Sequence, residues 1–331
     1  MKKFKKKPIV IFFAVVVAAL AVAATHTAWL NRSPETEPIF GVTFSKIYAE
    51  ELGLDWKETF QAIEGMGVDY YRIPVYWSAI EQQKNIYRWE DLDWLVDQSE
   101  KSNNHLTLAI GAKVPRWPEC FIPDWVDQIS LETELFEFIE QVVNRYKDSP
   151  AVIRWQVENE ALFPFGVCPK PNPDRFFREV ELVRRLDDKP IQLTVSGELD
   201  PWIDMATEAD ILGVSMYRLT WNDLFGYFLY PITPGFYRTR VASVSSLVDQ
   251  VIISELQAEP WFPEPISTRS PEQWYEAFNE DIFRRNVKFA VRTGMSEVYL
   301  WGAEWWYFLK LNQEERLWQV GQEIFQDKFS Y

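Results

Sequence analysis

Two histidines and two cysteines in 331 residues leave almost nothing with which to hold a transition metal. A zinc site built on Cys120 and Cys168 would need further ligands, and His26 and His105 scarcely supply them, so no metal is expected. Neither G-x-G-x-x-G nor G-x-x-x-x-G-K-[ST] occurs, which removes the phosphate-cradling loops of nucleotide enzymes and weakens the case for an open doubly wound sheet. No cofactor is expected either. Positive charge is also short: residues 31 to 331 carry 29 basic and 49 acidic side chains, a balance of −20, so nucleic acid is not an expected partner. No internal repeat, low-complexity body or break in composition divides the chain, and its oligomeric state is not legible.

Aromatic and apolar residues are plentiful. Hydrophobic residues make up 47% of the chain, enough for a sizeable core, and 16 Trp, 14 Tyr and 23 Phe exceed what an aliphatic core needs. Such an excess fits stacking surfaces for sugars or other flat apolar faces, or the buried rings of a large barrel. Residues 1–30 read as a targeting segment: Lys2, Lys3, Lys5, Lys6 and Lys7 precede an uncharged run from Pro8 to Ala24. Basic residues stay on the cytoplasmic side, so the body is expected to be exported, with the segment either a cleaved signal or a membrane anchor. In an oxidising compartment Cys120 and Cys168 are candidates for a disulfide. Residues 31–38 read as a linker and 39–331 as one domain.

Eight short apolar runs alternate with helical patterns. The runs are Ile39 to Phe44, Asp69 to Val75, His105 to Ile110, Ala151 to Val157, Ile191 to Val195, Asp210 to Met216, Val251 to Glu255 and Glu297 to Trp301. Helices are expected near Trp56–Met66, Leu92–Lys101, Leu131–Tyr146, Asp174–Leu186, Val244–Asp249 and Gln313–Gln326, with one from the Ser270-Pro271-Glu272-Gln273 capping box to Gly294. Tyr217 to Tyr237 reads as a long functional loop. Eight strands and their helices in about 300 residues predict a single (β/α)8 TIM barrel.

In such a barrel every strand ends at the same mouth. The fourth strand runs into Glu158-Asn159-Glu160 and the seventh into Glu255, which puts carboxylates on different sides of one pocket. A pair of carboxyl groups is the minimum apparatus of glycoside hydrolysis, one giving a proton to the leaving oxygen and the other attacking the anomeric carbon.

At these residues the chain resembles clan A glycoside hydrolases, the retaining β-glycosidase barrels of the cellulase, mannanase and β-galactosidase kind. The resemblance implies that Glu160 is the acid/base, Asn159 a ligand of the sugar 2-hydroxyl and Glu255 the nucleophile. Arg72 resembles the arginine that holds the nucleophile ionised, Tyr217 the tyrosine that orients it, and Trp301 the platform under the cleaved sugar. Trp77-Ser78-Ala79-Ile80-Glu81, with Tyr87, Trp89, Leu92 and Asp93, is similar to the signature after the second strand, although Asn85 stands where glycine is common. Trp77 and Trp117 are further candidates for sugar stacking, Trp301 and Trp117 the stronger, and one ring of Trp305-Trp306 is expected in the cleft. The implied partner is an oligo- or polysaccharide, with the membrane reached through the N-terminal segment.

The chain departs from several cellulase-like relatives at the third strand, where His105 stands at the start and not at the mouth. Glu259 is a rival nucleophile, Glu158 a supporting carboxylate paired inside the rim, and Glu198, Glu304 and Asp124 line the cleft or are solvated. A membrane-anchored barrel that binds carbohydrate without turnover is the alternative function.

Overall fold

The computed structural model describes residues 37–222, 224, 226–261 and 269–330. The expected targeting segment, residues 1–30, and residues 31–36 of the expected linker lie outside the described residues. Among the described residues no helix is long and apolar enough to cross a membrane.

Ten strands form: β1 Ile39–Thr43, β2 Tyr70–Pro74, β3 His105–Ile110, β4 Val152–Val157, β5 Ile191–Ser196, β6 Ile211–Met216, β7 Leu219–Asn222, β8 Gly226–Leu229, β9 Gln250–Gln257 and β10 Glu297–Trp301. Eight of them close a barrel in the order β1-β10-β9-β6-β5-β4-β3-β2, with every pairing parallel. Helices cover its outside, so these strands are buried on both faces and read as continuous apolar runs, not alternating ones. Register places the strand ends level: Pro74 pairs with Ala109, and Ile110 with Val157.

The helices begin where short polar side chains take up free backbone donors. Asp55 accepts from Lys57 and Glu58 ahead of Trp56–Glu64, and Asn172 accepts from Arg175 with Pro173 at the first position of Pro173–Leu186. In the 270s the expected box forms, Gln273 accepting from the Ser270 amide at 3.0 Å. The single helix expected from there to Gly294 is two, Pro271–Ala277 and Glu280–Val291, because Phe278 turns extended and Asn279 caps the second.

Two other expectations change. Tyr217–Tyr237 is not one irregular loop: β7 and β8 pair antiparallel within it, and a helix Pro234–Val244 follows in place of the one expected after Val244. Trp77 is not at the cleft. It opens the short helix Trp77–Ile80, its ring stacks on Phe138 at 5.5 Å in the core, and its Nε1 donates to Glu81 at 2.8 Å. A strand-end position gave it the look of a platform, but the helical turn aims the ring inward. Trp305 and Trp306 are likewise both buried, on helix Ala303–Leu311.

Candidate active site

At the mouth, the fully buried Arg72 of β2 is the hub. Its Nε donates to Gln156 Oε1 at 2.6 Å, its Nη2 to Asn159 Oδ1 at 2.7 Å and its Nη1 to Glu255 Oε1 at 2.7 Å. Tyr217, just past β6, donates to the other oxygen, Glu255 Oε2, at 3.0 Å. Burial and the Glu255 charge hold the Tyr217 phenol well above its ordinary range, so it remains a donor. Both oxygens of Glu255 accept, which is the bonding pattern of a carboxylate. Glu259, the rival, instead pairs with Arg116, away from this hub.

Glu160 is treated differently. Its backbone is fixed at both ends, the amide donating to Thr194 Oγ1 at 2.8 Å and the carbonyl accepting from Lys113 Nζ at 3.0 Å. Its carboxyl has no ion-pair partner among the described residues. Burial first, then the charge of Glu255, push it up to about 8 from an ordinary 4.5, against the lowering effect of Ser215 and Lys113. Near neutral pH it carries its proton while Glu255 faces a guanidinium. The neighbouring environments separate the two carboxyl groups into an acid and a carboxylate.

Glu158 points away from the cleft. Its oxygens accept from the amides of Ala112 at 3.0 Å and Lys113 at 2.7 Å. Its support is therefore to backbone, not the ion pair expected inside the rim. Gly111 makes room for it: at φ +124 a Cβ there would lie 2.9 Å from Glu158 Oε1. Behind it the buried Glu179 is raised well above its ordinary value by burial and the Glu158 charge.

A third carboxyl group was not legible. Glu119 follows the third strand in the loop Lys113–Cys120, is buried, and accepts from Asn159 Nδ2 at 3.1 Å. Burial, then Glu255, push it up to about 8, with Glu160 adding to the rise. Its position follows from irregular backbone. Glu119 has φ 76 and Arg116 φ 90, and Glu158 and Glu160 have φ 57 and 46, so four of the eight described non-glycine residues with positive φ stand at this mouth. Each costs on the order of 1–3 kcal/mol, and such residues gather where function fixes the backbone. The one sign in the sequence is the polar, aromatic run Lys113 to Trp117 directly after an apolar strand. Cys120 and Cys168 are joined, Cα atoms 5.2 Å apart, which ties this loop to the one after β4.

The remaining candidates divide. Trp117 is 61% exposed, its ring 6.0 Å from Phe165. Trp301 is only 7% exposed, and the Arg116 guanidinium lies 4.2 Å over its ring, so at most one indole face is open to a sugar. Glu198 accepts from the Tyr237 hydroxyl, Asp124 is solvated, and His105 lies at the far end of the barrel against Tyr70. Among the described residues no group of three or more His, Cys, Asp or Glu side chains could hold a metal.

Residues 74–175, which contain Glu119, Asn159 and Glu160, match the glycosyl hydrolase family 10 model. That match covers about a third of the chain, and the fold is the barrel of solved glycoside hydrolases. A β-galactosidase of Heyndrickxia coagulans is 22% identical over 129 residues, which is 32% of this chain and 19% of that protein. Among solved structures, the β-galactosidase of the psychrophilic Marinomonas ef1 superposes with a TM-score of 0.58 at 14% identity, covering 87% of this chain and 59% of that one. The GH5_18 protein of Bifidobacterium longum gives 0.62 at 12% identity, covering 89% and 80%. A psychrophilic family 10 endo-β-1,4-xylanase gives 0.51 at 16%, covering 80% and 85%. At these identities the structures speak for the fold. The chain spans about a fifth of the curated relative and about three fifths of the Marinomonas enzyme.

Proposed function

We propose that this barrel is a retaining glycosidase of clan A that cleaves β-linked glycosides or β-glycans by double displacement. One observation carries the reading: Glu255 accepts from Arg72 and Tyr217, while Glu160, across the same mouth, is held protonated by burial and by the charge of Glu255. Glu160 gives its proton to the leaving glycoside oxygen as Glu255 attacks the anomeric carbon. The glycosyl–Glu255 ester then meets a water from which the deprotonated Glu160 takes a proton, and hydrolysis restores both carboxyl groups. Asn159, fixed by Arg72 and Glu119, keeps one amide hydrogen for a sugar hydroxyl. Trp117, the most exposed of these rings, stacks on sugar further out.

The leader pattern and the Cys120–Cys168 bond support action outside the cytoplasm, in secreted or membrane-anchored form. Hydrolysis of an aryl β-glycoside, with trapping of the glycosyl ester on Glu255 by a 2-fluoro glycoside and mass spectrometry of the labelled peptide, tests the mechanism. Label on Glu259, or inversion at the anomeric carbon, would sink it. Binding of β-glycans with no turnover in the parent protein would turn the reading to the non-catalytic carbohydrate-binding barrel.

A further inference from the structure

Beside the catalytic pair, a second buried cluster closes part of the mouth. Arg116 is clamped between two rings, 3.7 Å from the Tyr48 centroid and 4.2 Å from that of Trp301. Its guanidinium pairs with Glu259 and reaches Glu304 at 3.4 Å. Glu304 is fully buried and also accepts from the Ser45 amide, and the Ser45 hydroxyl lies 2.6 Å from the Tyr76 hydroxyl. Gly302 lets the backbone approach: at φ +125, a Cβ there would stand 2.6 Å from Glu259 Cβ. These groups come from the end of β10 and from the segments after β1, β2, β3, β9 and β10, so they knit five edges of the mouth together.

The chemistry fixes which side this is. Glu160 lies at β4 and Glu255 at β9, and the leaving oxygen must meet Glu160. The leaving group therefore extends over the arc from β4 through β5 and β6, and the sugar attacked by Glu255 extends the other way, over β10, β1, β2 and β3. The cluster stands on that second side. Arg116 Nε, buried there, has no hydrogen-bond partner among the described residues.

Resting on the glycosidase reading, we propose that the Tyr48–Arg116–Trp301 stack, with Glu259 and Glu304 bound to it, is the closed end of a glycon pocket, and that the protein removes single terminal sugars from the non-reducing end. A chain entering past the first sugar would have to break a buried ion pair, which costs several kcal/mol. Hydroxyl groups of a terminal sugar instead meet charged donors and acceptors already in place.

The test uses β-1,3- and β-1,4-linked tetrasaccharides of glucose, mannose, galactose and xylose, labelled at the reducing end with 2-aminobenzamide. The expected ladder is labelled trisaccharide, then disaccharide, each step releasing a free monosaccharide. A labelled disaccharide as the first product, with no trisaccharide before it, overturns this inference alone. No hydrolysis of any tetrasaccharide or aryl β-glycoside overturns the glycosidase reading together with it. Arg116→Ala is expected to open the wall and let labelled disaccharide form directly. Should that variant fail to fold, Glu259→Gln keeps the shape and is expected to raise KM about tenfold with kcat nearly held, the scale of one hydrogen bond to a charged group. Ladders and KM values in folded variants that match the parent would defeat the assignment.

Discussion

Two of the buried arginine–glutamate pairs, Arg154–Glu297 and Arg72–Glu255, stand at opposite ends of the barrel, and they are built to opposite rules. At the closed end Arg154 Nη2 reaches both oxygens of Glu297, at 3.0 and 2.8 Å, and Gln250 and Tyr299 donate to the same carboxylate at 3.1 and 3.2 Å. Nothing about Glu297 is left open. At the mouth Arg72 spreads its donors over Gln156, Asn159 and Glu255, and two further carboxyl groups, Glu119 and Glu160, stand near without a cation in contact. A carboxylate with both oxygens engaged fixes the strands, whereas a pocket with more carboxyl groups than cations keeps protons at a pH where exposed carboxyls have lost them.

Substitutions at the two ends should separate these roles. Glu160→Gln is expected to lower hydrolysis of an aryl β-glycoside by about 10²–10⁴-fold with ligand binding retained. In the parent, kcat/KM should fall as pH rises through about 8, because Glu160 loses the proton it must give, and the variant should lack that limb. Parent-like rates in Glu160→Gln would end the catalytic assignment.

Arg154→Met addresses the other end. It leaves Glu297 buried and unpaired, so a loss of about 3–5 kcal/mol in urea unfolding is expected, with kcat of the folded protein unchanged. A catalytic defect with full stability would abolish the contrast between the ends.

Glu119→Gln is subtler. The folded protein holds this proton up to about 8, whereas an unfolded chain releases it near 4.5. Between those values the folded state binds more protons, so stability declines as pH rises across the window. Removing the titrating group should flatten that decline and move the alkaline limb of kcat/KM to lower pH. Unchanged pH profiles of both stability and rate would show Glu119 to be a bystander. Trp117→Ala should act least, raising KM for an oligosaccharide by roughly fivefold, as one stacked ring worth ~1 kcal/mol implies, with kcat held. An equal KM would remove Trp117 from the binding surface.

The barrel was legible because its strands are apolar runs and all but the fifth have a helical pattern after them, and strand ends at one mouth bring Glu160 and Glu255 into a pair. Tyr217, just past β6, and Arg72, in the middle of β2, are legible only through the resemblance to clan A hydrolases. What escaped lies in left-handed backbone. Arg116 and Glu119 follow no period of 2 or 3.6, and loop geometry brings them to the site. Trp77 misled in the opposite sense: its place after β2 is that of a mouth residue, but one helical turn decides where its ring goes. The paired β7 and β8 escaped because the aromatic Tyr217–Tyr237 stretch offers no clear alternation.

The Cys120–Cys168 bond encloses a ring of chain whose ends are 48 positions apart, and β4 with Glu158, Asn159 and Glu160 lies wholly inside it. Closing a ring of that size withdraws about 4 kcal/mol of chain entropy from the unfolded ensemble on the polymer model. Glu160, the proposed acid/base, therefore belongs to a covalent cycle. Even when the barrel comes apart, β4 and the loop beside Glu119 stay tethered as neighbours, and the search that rebuilds this half of the mouth starts from a short leash.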